Sequence, residues 1–369
     1  MPKATHRLSR LDPAFQIRVH LRSLLSLRYP SGLFAAARTQ SPTGYEKSWV
    51  RDNFYESMAF FELGRYSVCR KTLRSLLKIF TKHENKIDAA IREKPVHKMD
   101  YLHARYHPET FDEFWEDWGN KQNDSIGAVL FYVGKMTSTP EAKFSLTRAQ
   151  KRIVQKIVRY LASIRYWEDQ DSGMWEENEE LHASSIAACV AGLKSIRQIP
   201  GLMVPDEIIF KGEQALLALL PRESPSKFVD LALLSVVWPY NQADPKIAQA
   251  IVENVKYHLV RKHGLIRYKG DYYYNKNPDG KSEEAEWSMG FSWLSILYRQ
   301  LANDRKSNDF LKKAFSTINA QNEIPELYFS NSEEHNDNSP LGWSESLFII
   351  ALSHFLKKYS NEKKSPKTP

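Results

Sequence analysis

The sequence predicts an all-α fold, an (α/α)6 toroid in which six helical hairpins close into a ring. The first observation is periodicity: apolar residues recur at the three- and four-residue spacing of one helix face through most of the 369 residues. The second is that strongly apolar helices alternate with amphipathic ones six times along the chain. Strand-like alternation is confined to LIRYKGDYYY, which predicts at most a short β-hairpin near 264–275.

The two kinds of helix follow each other in a regular order. The apolar helices are predicted to begin near Val50, Asp124, Ser184, Lys227, Trp287 and Ser344. The amphipathic helices are predicted at about 13–28, 66–83, 145–165, 206–220, 244–261 and 305–319. An inner ring of apolar helices enclosed by an outer ring of amphipathic ones buries both kinds of apolar surface. No linker rich in Gly, Ser or Pro divides the chain, so we expect one domain over residues 1–369, with flexible tails at about 1–10 and 359–369.

Composition and charge exclude several other classes of protein. Hydrophobic content of 42% and charged content of 26% are ordinary for a soluble globular protein. Much of the net charge of +8 lies in the two ends and no basic stripe accompanies it, so we expect no nucleic-acid partner. No apolar run is long enough for a secretory signal or a membrane span, which favours a cytoplasmic protein without a membrane partner. Cys69 and Cys189 lie in apolar helical patterns, as buried thiols do in a reducing compartment.

The sequence gives no sign of a metal or cofactor site. Neither cysteine has a partner at metal-ligand spacing, and the histidines lack the H-x-x-x-H type of spacing. His103 and His182 are placed to reach the rim of a loop cluster. The G-x-S-x-G motif and a phosphate-binding glycine loop are absent, so serine hydrolases and nucleotide enzymes are not supported. We therefore expect no metal and no cofactor.

The loops that lead into the apolar helices are mostly long and rich in aromatic and acidic residues, whereas the opposite loops are short. In a toroid the long loops open on one face, and long loops in a compact domain are usually functional. We expect them to form one funnel lined by Tyr45, Trp49, Trp115, Trp118, Trp175, Tyr273, Tyr328 and Trp343. Indoles beside carboxylates and an arginine form a carbohydrate cleft, because rings stack on the sugar while charged groups bind its hydroxyls.

Two glutamates are candidates for hydrolysis of a glycosidic bond, which needs a carboxylic acid and a second carboxylate on the other side of the sugar ring. Glu176, in DSGMWEENEE, follows Trp175, and a neighbouring indole favours the protonated form of the acid. Glu326, in IPELY, lies between a proline and an apolar residue and is the candidate base. Sequence alone does not fix the separation of the two carboxyl groups.

Each candidate also has a purely structural interpretation. Glu176 is suited to cap the helix that follows it, and Glu326 to be an amino-terminal charge in a turn. Arg51 and Asp52, in WVRDN, are suited to form an ion pair at the start of a helix. The competing acids of the DSGMWEENEE stretch, taken singly, are interpreted as solvated rather than catalytic: Asp171, Glu177 and Glu179.

An ordered set of segments resembles the family-15 glycoside hydrolases (the glucoamylase family) and especially their relatives, the α and β regulatory subunits of phosphorylase kinase. The segments, from about Ser31 to Leu352, are SGLFAA, WVRDNFY, LHARY, QNDSIGAVLF, SGMWEENEELHASS, LLPRESPSK, IPELY and PLGWSESLFIIAL. One such segment would be weak evidence, but the ordered set over most of the chain is strong. The fold of that family is the six-hairpin toroid.

The resemblance implies catalytic roles for three residues. Glu176 follows a tryptophan as the general acid of that family does, and Glu326 lies in an E-x-Y turn like its general base. Tyr45, six residues before the arginine of W-x-R-D, is implied to contact the nucleophilic water. The residues implied or expected to bind the sugar and shape its pocket are Trp49, Arg51, Asp52, Trp118, Trp175, Glu177, Arg267 and Trp343.

Two functions follow from the resemblance. The first is an inverting exo-acting α-glucosidase that removes terminal α-1,4- or α-1,6-linked glucose from a small oligosaccharide. The second is a non-catalytic regulatory or sugar-sensing module, because the loops look closer to those of the kinase subunits than to those of secreted starch-degrading enzymes. The kinase subunits use further regions after the toroid for regulation, and the sequence here ends soon after its last helix, which favours the enzyme. The linkage, the substrate length and the oligomeric state stay open.

Overall fold

The computed structural model describes residues 12–38, 44–116, 118–275 and 283–362. Within these ranges the chain forms thirteen α-helices, and its four strands are two residues long each. The all-α fold class predicted from periodicity is therefore confirmed.

The thirteen helices are numbered in chain order. In chain order they are α1 (Pro13–Ser26), α2 (Val50–Glu62), α3 (Tyr66–Lys82), α4 (Glu84–Arg92), α5 (Asn123–Thr137), α6 (Arg148–Ile164), α7 (Ala183–Ile196), α8 (Asp206–Leu219), α9 (Leu234–Val237), α10 (Pro245–Leu259), α11 (Met289–Gln300), α12 (Asp304–Phe315) and α13 (Gly342–Glu362). Three short 3-10 helices span Lys98–Asp100, Pro140–Ala142 and Leu231–Leu233.

The apolar helices form a closed inner ring. Around this ring α2 contacts α5, then α7, α9, α11 and α13 follow, and α13 returns to α2. Helix α7 shows why these helices are inside, because twelve of its fourteen residues are buried. The outer helices α1, α3, α6, α8, α10 and α12 each bury fewer of their residues. The alternation in the sequence thus corresponds to an (α/α)6 toroid.

Two small antiparallel sheets hold the loops at the amino-terminal ends of the inner helices. Strand β1 (Ser48–Trp49) pairs with β2 (Arg105–Tyr106), and β3 (Glu286–Trp287) pairs with β4 (Leu327–Tyr328). The hairpin expected near 264–275 is not formed in the described part of that stretch. Instead Leu265 makes isolated bridges to Val260 and to Trp287.

The structure corrects three further details. The fourth inner helix begins at Leu231 as a 3-10 turn rather than near Lys227, and a short helix, α4, is inserted after α3. The tail expected from residue 359 is helical as far as Glu362, whereas the tail expected at 1–10 and residues 363–369 lie outside the described ranges. Cys69 and Cys189 are free and buried, as expected. Among the described helices, none is long and apolar enough to cross a membrane.

Candidate active site

A cavity of about 1040 Å³ opens at the amino-terminal ends of the inner helices. Arg51 and Asp52 reach it from the first turn of α2, and Trp343 from the first turn of α13. Every residue that the sequence predicts to act in catalysis or in sugar binding lines this cavity: Tyr45, Trp49, Arg51, Asp52, Trp118, Trp175, Glu176, Glu177, Arg267, Glu326 and Trp343.

Glu176 lies in a loop whose two ends are tied together. The backbone groups of Asp171 and Glu180 exchange two hydrogen bonds of 2.9 Å, which close the segment 171–180; we call it the acid loop. Within this loop Glu176 has φ of 66°, in the left-handed region that few residues other than glycine adopt. Gly119 packs against it so closely that a Cβ atom at that position would lie 2.7 Å from the carbonyl oxygen of Glu176. The backbone of the candidate acid is therefore held by tertiary contacts.

The carboxyl group of Glu176 has one short hydrogen bond. Trp49 Nε1 donates to Glu176 Oε1 at 2.6 Å, and Arg51 Nη2 lies 3.5 Å from the same oxygen. Burial raises the pKa of Glu176, and the nearby Arg51 charge and the Trp49 hydrogen bond oppose that rise without cancelling it. The raised pKa favours the protonated form of Glu176 compared with a solvent-exposed glutamate.

Glu326 is held more tightly. It precedes β4 directly, and its backbone N–H donates to the carbonyl oxygen of Asn338 at 2.9 Å. Tyr45 Oη donates to Glu326 Oε1 at 2.8 Å, while the side-chain amides of Asn336 and Asn338 donate to Oε2 at 2.5 and 2.7 Å. Burial raises the pKa of Glu326, and these three hydrogen bonds oppose the rise.

The hydrogen bonds distinguish the two carboxyl groups. Three neutral donors stabilise the ionised form of Glu326, as a general base requires. Burial raises the pKa of both carboxyl groups, and Glu176 accepts only one short hydrogen bond against that rise, an environment suited to a general acid. A chain of contacts joins them, since Tyr45 bonds to Glu326 and its ring meets that of Trp49 at a centroid distance of 5.3 Å. The pair can therefore serve one reaction centre.

The structural interpretations of the two acids do not hold. Helix α7 begins at Ala183 with His182 at its cap position, so Glu176 does not cap it. Glu326 precedes a strand rather than the first turn of a helix. For Arg51 and Asp52, the ion pair is present at 3.6 Å, but both groups also line the cavity.

Arg51 and Asp52 are buried and only partly satisfied by the protein. Arg51 Nη1 donates to Gln122 at 2.7 Å and lies 3.4 Å from Asp124. Burial raises the pKa of Asp52 to about 7, against the opposing effect of Arg51. Among the described residues, no protein group makes a hydrogen bond to Asp52 Oδ1 or to the indole nitrogen of Trp343. Buried polar atoms without partners are costly, so these atoms are suited to bind ligand hydroxyls.

Glu177 lies among cationic and hydroxyl donors. Lys227 Nζ donates to it at 2.7 Å, Arg267 Nη2 at 2.9 Å and Tyr268 Oη at 2.7 Å. Burial alone would raise the pKa of Glu177, but Arg267 and Lys227 outweigh it and the net pKa is lowered. Arg267 is itself fixed by two hydrogen bonds to Asp271, of 2.7 and 2.6 Å. The ionised form of Glu177 is thus stabilised beside the candidate acid, and the side chain is paired with protein groups rather than solvated as expected.

Aromatic rings form the rest of the wall. The Arg105 guanidinium lies 3.9 Å from the centroid of the Trp118 ring, so that cation covers part of the indole. Trp343 stacks on Tyr55 at a centroid distance of 4.6 Å and on Trp175 at 6.2 Å. These contacts fix the rings in place before any ligand binds.

Several expected members of the funnel lie elsewhere. Trp115 is 82% exposed and does not line the cavity, and Tyr328 is buried with its hydroxyl bonded to the Thr317 carbonyl. His103 is buried next to Trp118 rather than at the rim, and burial lowers its pKa to about 3. His182 is buried beside Glu223. Tyr273 does line the cavity.

The other acids of the opening stretch differ from one another. Asp171 is buried, not solvated, and accepts a hydrogen bond from the Asn123 backbone at the start of α5. Glu179 is partly exposed, as expected. Within the described ranges no group of three metal-ligating side chains comes together.

The sequence does not point to several residues that act in the site. The predicted fourth inner helix includes Lys227 and Asp230, and Asn336 and Asn338 lie in a polar stretch that resembles any solvated loop. Trp287 lines the cavity, whereas the sequence pattern indicates only the start of a helix there. A usable signal was the KFVD segment itself, because a lysine and an aspartate flank its apolar residues at the end of a long loop.

The fold and this cavity define a toroid of six helical hairpins with an acidic, aromatic site at the amino-terminal ends of its inner helices. Residues 17–360 match the model of Glycosyl hydrolases family 15, and the chain belongs to that family. The family resemblance seen in the sequence is therefore confirmed.

Named relatives and solved structures fall into two groups. The chain is 25% identical over 374 residues to a probable phosphorylase b kinase regulatory subunit alpha of Caenorhabditis elegans (82% of this chain, 30% of the relative). It is 26% identical over 416 residues to that of Drosophila melanogaster (92% and 32%). The chain thus spans about a third of the length of these curated relatives.

Several similar solved structures carry the name glycosidase or glucoamylase. One, described as a glycosidase, superposes with a TM-score of 0.81 at 17% identity, covering 95% of this chain and 98% of that one. The glucoamylase from Saccharomycopsis fibuligera superposes with a TM-score of 0.66 at 15% identity, covering 95% and 97%. At these identities the likeness establishes the fold.

Proposed function

We propose that the protein is an inverting, exo-acting α-glucosidase that removes terminal glucose from small α-linked oligosaccharides. The observation that carries the proposal is that Glu176 and Glu326, 150 positions apart, line one cavity, where Glu326 accepts three hydrogen bonds and Glu176 accepts one short one. Membership of the glycosyl hydrolase family supports it. A glycosidase of the same fold has been solved in complex with glucose, which is consistent with glucose as the sugar that is released from the chain end.

The proposed reaction uses the two carboxyl groups together. Glu176 gives its proton to the glycosidic oxygen as the bond from that oxygen to the anomeric carbon breaks. A water molecule attacks the anomeric carbon from the opposite side, and Glu326 takes its proton with Tyr45 orienting the water. The transition state carries positive charge on the sugar, and Glu177 lies beside the acid as a contact for the hydroxyls of that sugar. The product is glucose of inverted, β configuration.

The terminal sugar is proposed to bind through the partly satisfied polar groups. Arg51, Asp52 and Arg267 face the cavity with Glu177 and are suited to hold its hydroxyls. Trp175 and Trp343 form one wall, and Trp118 lies at the position of the next sugar. The cavity volume of about 1040 Å³ is at the upper end for small-molecule sites, which suits a substrate larger than one sugar.

A second function, a sugar-sensing regulatory module, is favoured by one observation. The relatives at 24–26% identity carry the name phosphorylase b kinase regulatory subunit alpha. In that case the cavity binds sugar without hydrolysing it. The first function is preferred because both candidate carboxyl groups line the cavity and the three hydrogen bonds to Glu326 support a role for it as the base.

The test is to incubate the protein with maltose, isomaltose and longer glucans and to follow the anomer released by NMR. We expect β-glucose first, with the α anomer appearing only by mutarotation. Initial α-glucose would contradict inversion. No release from any substrate, together with a Glu176→Gln variant that binds sugar no differently from the wild type, would favour the regulatory module.

The pH dependence gives a second prediction. Activity should fall at low pH as Glu326 becomes protonated and at high pH as Glu176 loses its proton, giving a bell-shaped profile of kcat/KM. In Trp49→Phe the hydrogen bond that stabilises ionised Glu176 is removed, so the pKa of Glu176 rises further. We expect the alkaline limb to move to higher pH, measured against Trp167→Phe, whose indole does not line the cavity. An unmoved limb, or one moved to lower pH, would contradict this assignment of the acid.

A further inference from the structure

Two residues to which the family resemblance assigns no role contact the two neighbours of the candidate acid. Trp175 Nε1 donates to Asp230 Oδ1 at 2.7 Å, and Lys227 Nζ donates to Glu177 Oε2 at 2.7 Å. One segment of four residues, 227–230, therefore holds the residues on each side of Glu176.

This segment is itself fixed. Asp230 is fully buried, and its Oδ1 also accepts from the Ala232 backbone at 2.7 Å, which caps the 3-10 turn Leu231–Leu233. Lys227 Nζ lies 3.9 Å from the centroid of the Tyr268 ring and 3.9 Å from Asp230 Oδ2. The two side chains therefore connect the acid loop to the rigid inner ring of helices.

The backbone at Glu176 needs such support. A residue other than glycine is strained in the left-handed region, and this conformation persists where its surroundings hold it there. Gly119 packs against one side of this backbone. Without a hold on its neighbours, the loop is free to relax and carry the carboxyl group away from its working position.

We propose that Lys227 and Asp230 are positioning residues that brace the acid loop and thereby hold Glu176 at the glycosidic oxygen. The inference rests on the proposed function, because it assigns Glu176 as the proton donor. Neither residue transfers a proton itself. Asp230 acts through Trp175, and Lys227 acts through Glu177.

The test compares two substrates that differ in their need for the acid. Cleavage of a disaccharide (maltose or isomaltose, whichever the wild type hydrolyses) requires protonation of a poor leaving group, whereas 2,4-dinitrophenyl α-glucoside releases a stable phenolate. We expect Asp230→Ala to lower kcat on the disaccharide by about 10- to 100-fold. On the activated glucoside the loss should be at most about threefold, by the same argument.

Two further variants sharpen the comparison. Asp230→Asn keeps an oxygen acceptor for Trp175 and should retain most of the activity. Lys227→Met should show the Asp230→Ala pattern more weakly, because Arg267 and Tyr268 still hold Glu177. Lys211→Met, which removes an exposed ion pair with Glu207 on α8, is the matched control and should leave both rates unchanged.

The outcomes separate the two proposals. Equal losses of kcat on both substrates would contradict the positioning role of Lys227 and Asp230 while leaving the glucosidase proposal intact. An Asp230→Asn variant as impaired as Asp230→Ala would do the same. If the wild type hydrolyses neither substrate, the proposed function is wrong, and the positioning role that depends on it is wrong as well. Thermal unfolding of each variant identifies loss of fold, and Lys227→Met decides the matter if Asp230→Ala does not fold.

Discussion

Glu176→Gln is expected to lower kcat on maltose or isomaltose by about 10⁴-fold, the upper range for removal of a general acid. Glutamine keeps the size of the side chain and can still accept the hydrogen bond from Trp49, so the loop should stay in place. Because burial already disfavours the ionised form of Glu176, the change should leave the free energy of unfolding nearly unaltered. Steady-state kinetics and thermal unfolding measure the two effects.

The specificity of this loss is the stronger criterion. On 2,4-dinitrophenyl α-glucoside, whose leaving group needs little protonation, Glu176→Gln should keep much of its activity. The matched control is Glu179→Gln, which alters a partly exposed carboxylate of the same acid loop and should behave as the wild type does on both substrates. A variant of Glu176 with wild-type kcat on the disaccharide would show that another group donates the proton.

Glu326→Ala is expected to lower turnover by several orders of magnitude on every substrate, including the activated glucoside. Without this carboxylate no group is placed to take the proton of the attacking water, whatever the leaving group is. The variant also leaves Tyr45, Asn336 and Asn338 without their shared acceptor. We therefore expect a moderate loss of stability, of about 1–3 kcal/mol, with the fold retained.

A small anion can test the position of the lost base. In Glu326→Ala, azide should enter the vacated space and attack the activated glucoside without needing to lose a proton, giving β-glucosyl azide. The control is Glu334→Ala, because Glu334 is an exposed carboxylate of the same polar stretch. If Glu334→Ala is the inactive variant, or if the azide product has α configuration, the base is assigned wrongly.

The agreement between sequence and fold comes from local patterns. The alternation of helices such as α7, buried nearly all round, with helices such as α6, buried along one stripe, was visible because periodicity depends on residues a few positions apart. The sequence predicts the start of the fourth inner helix too early, because that prediction also depends on a local pattern. Its KFVD start is apolar enough to continue a helix, but Asp230 caps the turn at Leu231 and Lys227 points to Glu177.

The site shows where local patterns stop being informative. The motif around Trp175 and Glu176 singled out the acid, yet Trp115 has the same neighbourhood of carboxylates and is exposed. Asn336 and Asn338 had no distinguishing signal, because an amide in a polar loop is ordinary until a carboxylate faces it. Which of several similar residues enters the cavity depends on how the loops pack.

The helical class, the ring of six hairpins and the two candidate carboxylates can be predicted from the amino-acid sequence alone, since they follow from spacing and from short motifs. The way in which each carboxylate is held depends on the folded ring. Glu326 obtains a donor from Tyr45, 281 positions away, and Glu176 obtains one from Trp49, 127 positions away. Burial and hydrogen bonding set the proton affinity of an acid, and both depend on residues that meet only when the ring closes.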